Sequence, residues 1–142
     1  MNTVTELPFN KLLNIQSLGE GAHMLRLPAG GQYLNHLGTV HAGALLALAE
    51  AGSGEFLLGA LGGMAGVVPV VRRMEAKFRK PANGFVTASA SVADGALEEL
   101  RAGLEGKGRA LIAVNVELHD ESSVHVFSAL VEWFIATAPA AN

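Results

Sequence analysis

The residues with the clearest potential for chemistry lie in one stretch, between positions 35 and 50. Glu50 is the first charged residue after a segment that contains Asn35, His41, Ala42 and Gly43. The sequence neighbours of Glu50 are apolar, and a carboxylate is seldom buried among such residues without an ion pair or a function. Glu50 is therefore a candidate general base that activates water, or a nucleophile that attacks a carbonyl group itself.

The same stretch opens a predicted long helix. The apolar pattern of residues 39–61 is helical, Thr39 can cap its start, and the glycines at 62–63 end it. His41 and Glu50 are nine residues apart, which is about 13.5 Å along a helix axis and about half a turn around it. They cannot meet in one site within one chain. If both act, His41 of one subunit must face Glu50 of another, and a two-fold dimer creates two such sites.

A helix start supplies unpaired backbone N–H groups and a partial positive charge. We predict that Ala42 and Gly43 lie there, where small side chains let a carbonyl oxygen approach. Such donors stabilise the oxyanion that forms when a carbonyl is attacked. Structural alternatives remain open at each position. Gly43 could serve only close packing of helix on sheet, His41 could cap the loop, and Asn35 could satisfy loop backbone groups.

Basic residues are concentrated in one predicted strand, where five of the ten in the chain lie between positions 72 and 80. Arg79 and Lys80, near the end of this strand, are candidate anchors for phosphate groups. The alternative is a solvated strand edge that its charges protect from aggregation. Arg72 or Arg73 could also neutralise Glu50 in an ion pair, which would make that carboxylate structural.

Length and composition fit a single domain over residues 1–142. Half of the 142 residues are hydrophobic, 16% are charged and the net charge is −3, which favours a packed core and gives no reason to expect nucleic-acid binding. The lack of cysteine excludes a disulfide scaffold, a thiolate metal site and a Cys nucleophile. Residues 1–18 do not resemble a secretory signal, and Glu50, Glu55 and seven glycines interrupt the apolar segment 42–71. We therefore expect a cytoplasmic protein that does not span a membrane.

The remaining pattern predicts an α+β domain. Residues 9–28 form an extended N-terminal segment, residues 94–108 a polar connection with at most one helical turn, and strands are predicted at 67–80, 85–93, 109–119 and 124–135. Successive strands with short turns imply an antiparallel sheet, and a helix that is apolar on several sides must be enclosed. The expected fold is a long central helix wrapped by a curved antiparallel sheet of about five strands.

Residues 35–50 resemble the signature of hotdog-fold thioesterases of the phenylacetate-pathway type. That family shows an Asn, then a His-Gly-Gly-like step at a helix start, then an acid nine residues after the His. Asn35, His41 and Glu50 match these positions. Residues 74–84 resemble the family's second strand, which ends in an aromatic residue, two residues and a proline, with a glycine soon after. Glu in place of Asp, and Ala in place of the first Gly, make the chain most similar to a branch of uncharacterised thioesterases.

The resemblance implies that the chain hydrolyses an acyl-CoA thioester to a free acid and CoA. It would act as a homodimer or a pair of homodimers, without a metal or a bound cofactor. Glu50 of the facing subunit would be the base or the nucleophile, and Asn35 would orient the water or the carbonyl. The backbone of Ala42 and Gly43 would bind the carbonyl, with His41 shaping the turn.

Arg79 and Lys80 would then hold the phosphates of CoA, and Val71 would lie against the substrate. Relatives often carry a Ser or Thr at the position of Val71 to hold the attacking water, and valine offers no hydroxyl. This departure favours an alternative in which the fold binds an acyl-CoA or another apolar ligand without cleaving it. A hydratase acting on acyl thioesters ranks third, because such enzymes place their His and acid at a different spacing.

Overall fold

A computed structural model of the chain describes residues 3–19, 21–63 and 65–139. Within these residues the helices are α1 (Pro8–Leu12), α2 (Ala42–Leu61) and α3 (Ala96–Lys107). The strands are β1 (Gln16–Ser17), β2 (Leu25–Leu27), β3 (Val67–Phe78), β4 (Val86–Ser91), β5 (Arg109–Asp120) and β6 (His125–Thr137). Short 3₁₀ helices at Val4–Glu6 and Gly31–Tyr33 precede α1 and α2.

The six strands form one antiparallel sheet in the order β1-β2-β4-β5-β6-β3. The predicted α+β class, with one long helix wrapped by a curved antiparallel sheet, is confirmed. The sheet has six strands where about five were expected. The difference arises in the N-terminal segment, which folds into α1 and a short hairpin in which Gln16 of β1 lies opposite Arg26 of β2.

Helix α2 forms the centre of the core and packs against β2, β4, β5 and β6. Leu48 and Leu57 are fully buried, and burying each such side chain stabilises the fold by about 1.5–3 kcal/mol. The helix has the length and apolarity of a membrane span, and its enclosure by the sheet accounts for that apolarity. Helix and sheet approach closely at Gly52, where an added Cβ would lie 3.1 Å from the Cβ of Ala88. Close packing therefore depends on Gly52, and the packing role considered for Gly43 is not observed.

The start of α2 differs from the prediction. Thr39 lies in the preceding loop, and the N-cap is His41. Thr39 is held in the loop because the hydroxyl and the backbone carbonyl of Thr39 both accept hydrogen bonds from Asn35. The end agrees with the prediction, since Gly62 adopts a left-handed conformation with φ of 70°, which glycine reaches without Cβ strain.

Residues 94–108 contain α3, a helix of 12 residues, so the prediction of a polar connection with at most one turn was wrong. Leu97, Leu100 and Leu104 follow helical spacing and pack against the core, with Leu100 fully buried. Charged residues surround these three leucines in the sequence, so the narrow apolar stripe of the helix was not recognised from composition.

Strand β3 is an edge of the sheet. It pairs with β6 on one side, and no described strand pairs with its other side. Three large apolar side chains on it are about half exposed: Val68 at 49%, Val70 at 50% and Phe78 at 50%. The beginning of β3, residues 67–71, is therefore an exposed apolar edge, a surface that proteins normally cover or pair, whereas its second half carries charges.

Candidate active site

Glu50 on α2 lines a cavity of about 560 Å³. The other walls come from the N-terminal segment, the beginning of β3 and one residue of β6. The lining residues besides Glu50 are Thr3, Val4, Leu7, Ala51, Gly54, Leu58, Pro69, Val70, Val71 and Trp133. Glu50 is thus the one ionisable side chain in the described lining, and all its neighbours there except Thr3 are apolar or aromatic.

The carboxylate of Glu50 has no ion-pair partner among the described residues. Arg72 pairs with Glu132 at 3.7 Å, and Arg73 pairs with Glu75, so the ion pair considered for Glu50 does not form. Partial burial raises the pKa of Glu50 above the ordinary value for glutamic acid, because desolvation penalises the charged form. A carboxylate made more basic by burial, and facing a cavity, is suited to accept a proton.

Two hydrogen bonds connect Trp133, in the cavity wall, to helix α2. The indole Nε1–H of Trp133 donates to Ser53 Oγ at 2.9 Å, and Ser53 Oγ donates to the backbone carbonyl of Glu50 at 2.7 Å. Ser53 is fully buried and Trp133 is nearly so. Their polar groups are therefore used inside the protein, and the indole presents only carbon atoms to the cavity.

The start of α2 offers one free donor. The Nδ1 atom of His41 accepts a hydrogen bond from the N–H of Gly43 at 2.8 Å, and the His41 carbonyl accepts from Ala44 at 3.0 Å. The N–H of Gly43, predicted as a donor for the substrate, is therefore occupied. The N–H of Ala42 has no hydrogen-bond acceptor within the described part of the chain, and Ala42 is exposed. Ala42, in place of Gly43, is the candidate oxyanion donor.

Asn35 organises the loop before α2. Its Oδ1 accepts from the backbone N–H groups of Leu37 at 2.9 Å and Thr39 at 3.1 Å, and its Nδ2 donates to Thr39 Oγ1 at 2.9 Å. Both polar atoms of the side chain are thus used within the loop. Asn35 therefore satisfies backbone groups of the loop, which was the structural alternative for this residue. A role for Asn35 at the substrate stays a prediction.

Val71 lines the same cavity as Glu50, whereas Asn35, His41 and Ala42 lie outside its lining. Ala42 and Glu50 are eight residues apart on α2, which is about 12 Å along the helix axis. A single chain therefore separates the candidate base from the candidate oxyanion donor.

Arg79 and Lys80 follow the end of β3 and are exposed. Both backbone N–H groups donate to the carbonyl of Val126, at 2.8 and 3.3 Å, and Arg79 Nε donates to Ser128 Oγ at 2.6 Å. The two side chains border an open groove that His125 also lines. This placement leaves the Lys80 ammonium accessible to an anionic ligand.

The sequence indicates that His119 and His125 flank the last turn of an exposed hairpin, but sequence reasoning missed that they form a cluster with His23 on the outer face of the sheet. The ring of His119 stacks on His125 at 4.9 Å between centroids and meets the edge of His23 at 5.7 Å. Burial lowers the pKa of His119, and His125 and His23 lower it further. The described residues hold no group of three or more His, Asp or Glu side chains arranged for a metal ion. Only the strand register, which places His119 opposite His125, creates this cluster.

Sequence reasoning also missed most of the cavity lining, including Gly54, Leu58 and Trp133. The first two were accessible to it, since they follow Glu50 by four and eight residues and so share its helix face. Trp133 was not, because its position depends on the pairing of β6 with β3.

A family model described as a domain of unknown function (DUF4442) matches residues 11–135. No curated protein matches the chain. A Pseudomonas aeruginosa protein of unknown function, described as a probable thioesterase, has a solved structure that is 26% identical with a TM-score of 0.79. The match covers 95% of this chain and 91% of that one.

Two further solved structures share the fold. A thioesterase from Haemophilus influenzae is 20% identical with a TM-score of 0.71, covering 94% of this chain and 86% of that one. A Bacillus halodurans protein solved with CoA is 23% identical with a TM-score of 0.66, covering 87% and 75%. The predicted hotdog fold is therefore confirmed, and the structural neighbours that share it are proteins of the thioesterase superfamily. The phenylacetate-pathway type stays a prediction.

Proposed function

We propose that this chain, which belongs to the DUF4442 family, hydrolyses acyl-CoA thioesters at a site shared between two subunits. One observation carries the proposal: Glu50 is a partly buried carboxylate without an ion-pair partner, in the wall of an apolar cavity. Likeness to a probable thioesterase and to a protein solved with CoA supports the same reaction.

In the proposed reaction Glu50 acts as a general base. It takes a proton from a water molecule, whose oxygen attacks the carbonyl carbon of the thioester. The carbonyl oxygen becomes an oxyanion, held by a backbone N–H. When the tetrahedral intermediate collapses, the C–S bond breaks and the proton passes to the sulfur, which gives a free acid and CoA. Direct attack by the Glu50 carboxylate, followed by hydrolysis of the anhydride, is the covalent variant.

The oxyanion donor in this proposal is the N–H of Ala42 from the partner subunit. Gly43 cannot supply it, because its N–H is bonded to His41. The bond to His41 has a different use, since it holds the first turn of α2 in place, while the N–H of Ala42 stays without an acceptor among the described residues. Asn35 supports this geometry at one remove, by fixing the loop that leads into the turn.

We place the dimer contact at the edge strand β3. Pro69 and Val71, at the beginning of β3, line the cavity of Glu50. Ala82, just beyond the end of β3, accepts a hydrogen bond from Val40 at 3.0 Å beside the start of α2. Antiparallel pairing of β3 with the β3 of a second copy sets the beginning of one strand beside the end of the other. Glu50 of each copy then approaches the helix start of the other.

Arg79 and Lys80 lie at that same end of β3, where the CoA part of the substrate would leave the shared site. We propose that Lys80 binds a phosphate group of CoA directly. Arg79 would add charge while keeping its hydrogen bond to Ser128. Val71 would pack against the thioester and leave Glu50 alone to hold the attacking water.

The direct test is release of the CoA thiol from a panel of acyl-CoAs by the purified wild-type protein. Binding without cleavage is the second candidate function, because Val70 and Val71 line the cavity of Glu50 and Thr3 carries the one hydroxyl among the described lining residues. Tight binding of every acyl-CoA with no thiol release would select that function.

The pH dependence should report Glu50. Because partial burial raises its pKa, kcat/KM should fall on the acid side with an apparent pKa above the ordinary value for glutamic acid. The measurement is kcat/KM for one good acyl-CoA across the acidic range, at constant ionic strength. A profile that stays flat down to the ordinary glutamic acid value would argue against Glu50 as the base.

Val68→Glu should dissociate the dimer and thereby abolish the thioesterase activity. Val68 is an exposed apolar residue on the edge strand and does not line the cavity. A two-fold contact buries the new charge twice, so we expect dimer affinity to fall by about a hundredfold or more. Light scattering and thiol release, both across protein concentration, should change together.

The matched control for this variant is Leu18→Glu, next to β1 at the opposite edge of the sheet. It introduces the same charge at another exposed apolar residue and should leave mass and activity unchanged. A wild type that is monomeric and fully active would remove the shared site from the proposal.

A further inference from the structure

We propose that the cavity beside Glu50 is a chamber for unsubstituted hydrocarbon acyl groups, and that Gly54 sets the acyl length it admits. The inference rests on the proposed thioesterase function and adds its substrate class and a specificity-determining residue. The occupant is the acyl chain of the substrate, because the proposed reacting carboxylate stands in the wall of this cavity.

The chamber offers almost no partner for a polar acyl group. Apart from Glu50, the lining side chains with a polar atom are Thr3 and Trp133. The indole N–H of Trp133 is bonded to Ser53, and Thr3 Oγ1 lies 3.2 Å from Thr5 Oγ1. A hydroxyl or carboxylate on the acyl group would lose its water and find few hydrogen-bond partners in exchange. The size, about 560 Å³, is within the range of about 300–1,000 Å³ that is usual for small-molecule sites.

One face of α2 gives the chamber its direction. Glu50, Gly54 and Leu58 are spaced four residues apart and therefore lie one above the other on the helix. Gly54 is about 6 Å and Leu58 about 12 Å from Glu50 along the axis. A thioester carbon held at Glu50 thus points its acyl chain past Gly54 toward Leu58.

Gly54 lines this path together with Trp133 and Val4. A Cβ added there would lie 3.6 Å from the Trp133 ring and 3.6 Å from a methyl group of Val4. These are ordinary contact distances, so an alanine fits without moving its neighbours and fills the space between them. A longer side chain at this position must extend into the chamber. Glycine therefore keeps the path open, although it costs helix stability relative to alanine.

The experiment measures kcat/KM for acetyl-, butyryl-, hexanoyl-, octanoyl- and decanoyl-CoA. In the wild type each methylene buried in the chamber should raise kcat/KM by about fourfold until the chamber is full. Gly54→Leu should lower the octanoyl-to-butyryl ratio at least tenfold, and Gly54→Ala should shift it less in the same direction. Benzoyl-CoA should exceed 4-hydroxybenzoyl-CoA by more than tenfold, since the ring hydroxyl finds few hydrogen-bond partners.

The matched control is Gly59→Leu on the same helix. Gly59 is exposed and an added Cβ there meets no atom within 4 Å, so the acyl-length ratio should stay at the wild-type value. If Gly54→Leu does not fold, Gly54→Ala carries the test. An acyl-length ratio unchanged in the folded Gly54 variants would overturn the chamber while thioesterase activity stands, and would indicate that a partner subunit fills the cavity.

Failure of the proposed function has a separate signature. If the wild type releases no thiol, binding of decanoyl-CoA and butyryl-CoA can be measured by calorimetry without turnover. Decanoyl-CoA affinity that falls about tenfold relative to butyryl-CoA in Gly54→Leu would support the chamber in a binding protein. Equal relative affinities in wild type and variant would overturn it.

Discussion

Replacing Glu50 by glutamine should lower kcat by about 10²–10⁴-fold while leaving the protein at least as stable as the wild type. Glutamine keeps the size of the side chain and removes the base. The loss of activity is expected because no other ionisable side chain lines the cavity among the described residues, and none is available to replace Glu50 as proton acceptor.

The expected stability of Glu50→Gln follows from the direction in which the pKa of Glu50 is shifted. Burial raises the pKa of Glu50 in the folded state, so the folded protein holds this proton more tightly than the unfolded chain. The charged carboxylate therefore opposes folding at neutral pH, and this cost fades as the pH falls through the folded pKa. Glu50→Gln should raise the unfolding temperature at neutral pH, with a smaller gain at acidic pH.

Glu55 provides the control for this variant. It lies on the same helix, burial raises its pKa in the same way, and it does not line the cavity. Glu55→Gln should therefore share the stability gain and retain full activity. Thiol-release kinetics and thermal unfolding of both variants decide the matter. Full activity in Glu50→Gln would remove Glu50 from the mechanism. Marked destabilisation would show that its carboxylate serves the fold.

The central helix and most of the strands could be predicted because their periodicity is local. Residues 109–119 alternate over their whole length, and the long apolar run before position 62, interrupted by Glu50 and Glu55, is typical of a helix enclosed in a core. The edge position of β3 could not be predicted, since β3 pairs with the last strand in the sequence. That non-local pairing leaves Val68 and Val70 exposed. The proposed dimer contact at β3 therefore rests on the structure and not on the sequence pattern.

The candidate site divides in the same way. Glu50 can be identified from the sequence because it is a lone charge in an apolar run. Its lack of an ion pair depends on strand register, because the register places Glu132 next to Arg73, and Glu132 forms an ion pair with Arg72. The choice between Ala42 and Gly43 as donor depends on a single ring orientation, that of His41. Neither fact has a signature in residue spacing.

Ala42→Pro should lower kcat by about 10²–10³-fold, the usual cost of one oxyanion donor, without destabilising the fold. Ala42 is the first residue of α2, where proline is favoured and the missing N–H breaks no helix bond. His41 before it has φ of −62° and ψ of 141°, the conformation that a residue preceding proline adopts. Ala42→Gly, which keeps the N–H, should lose far less activity, and thermal unfolding should show all three proteins folded.

Mixing the two inactive variants tests whether the site is shared. Glu50→Gln retains the donor and Ala42→Pro retains the base, so a mixed dimer rebuilds one complete site from two chains. If the variants are unfolded and refolded together, half of the dimers are mixed and each has one working site, so activity should return to about a quarter of the wild-type value. A site confined to one chain would give no recovery. The distance of about 12 Å between the two residues on one helix already favours recovery, because no motion of a rigid α2 can bring its own base and donor together.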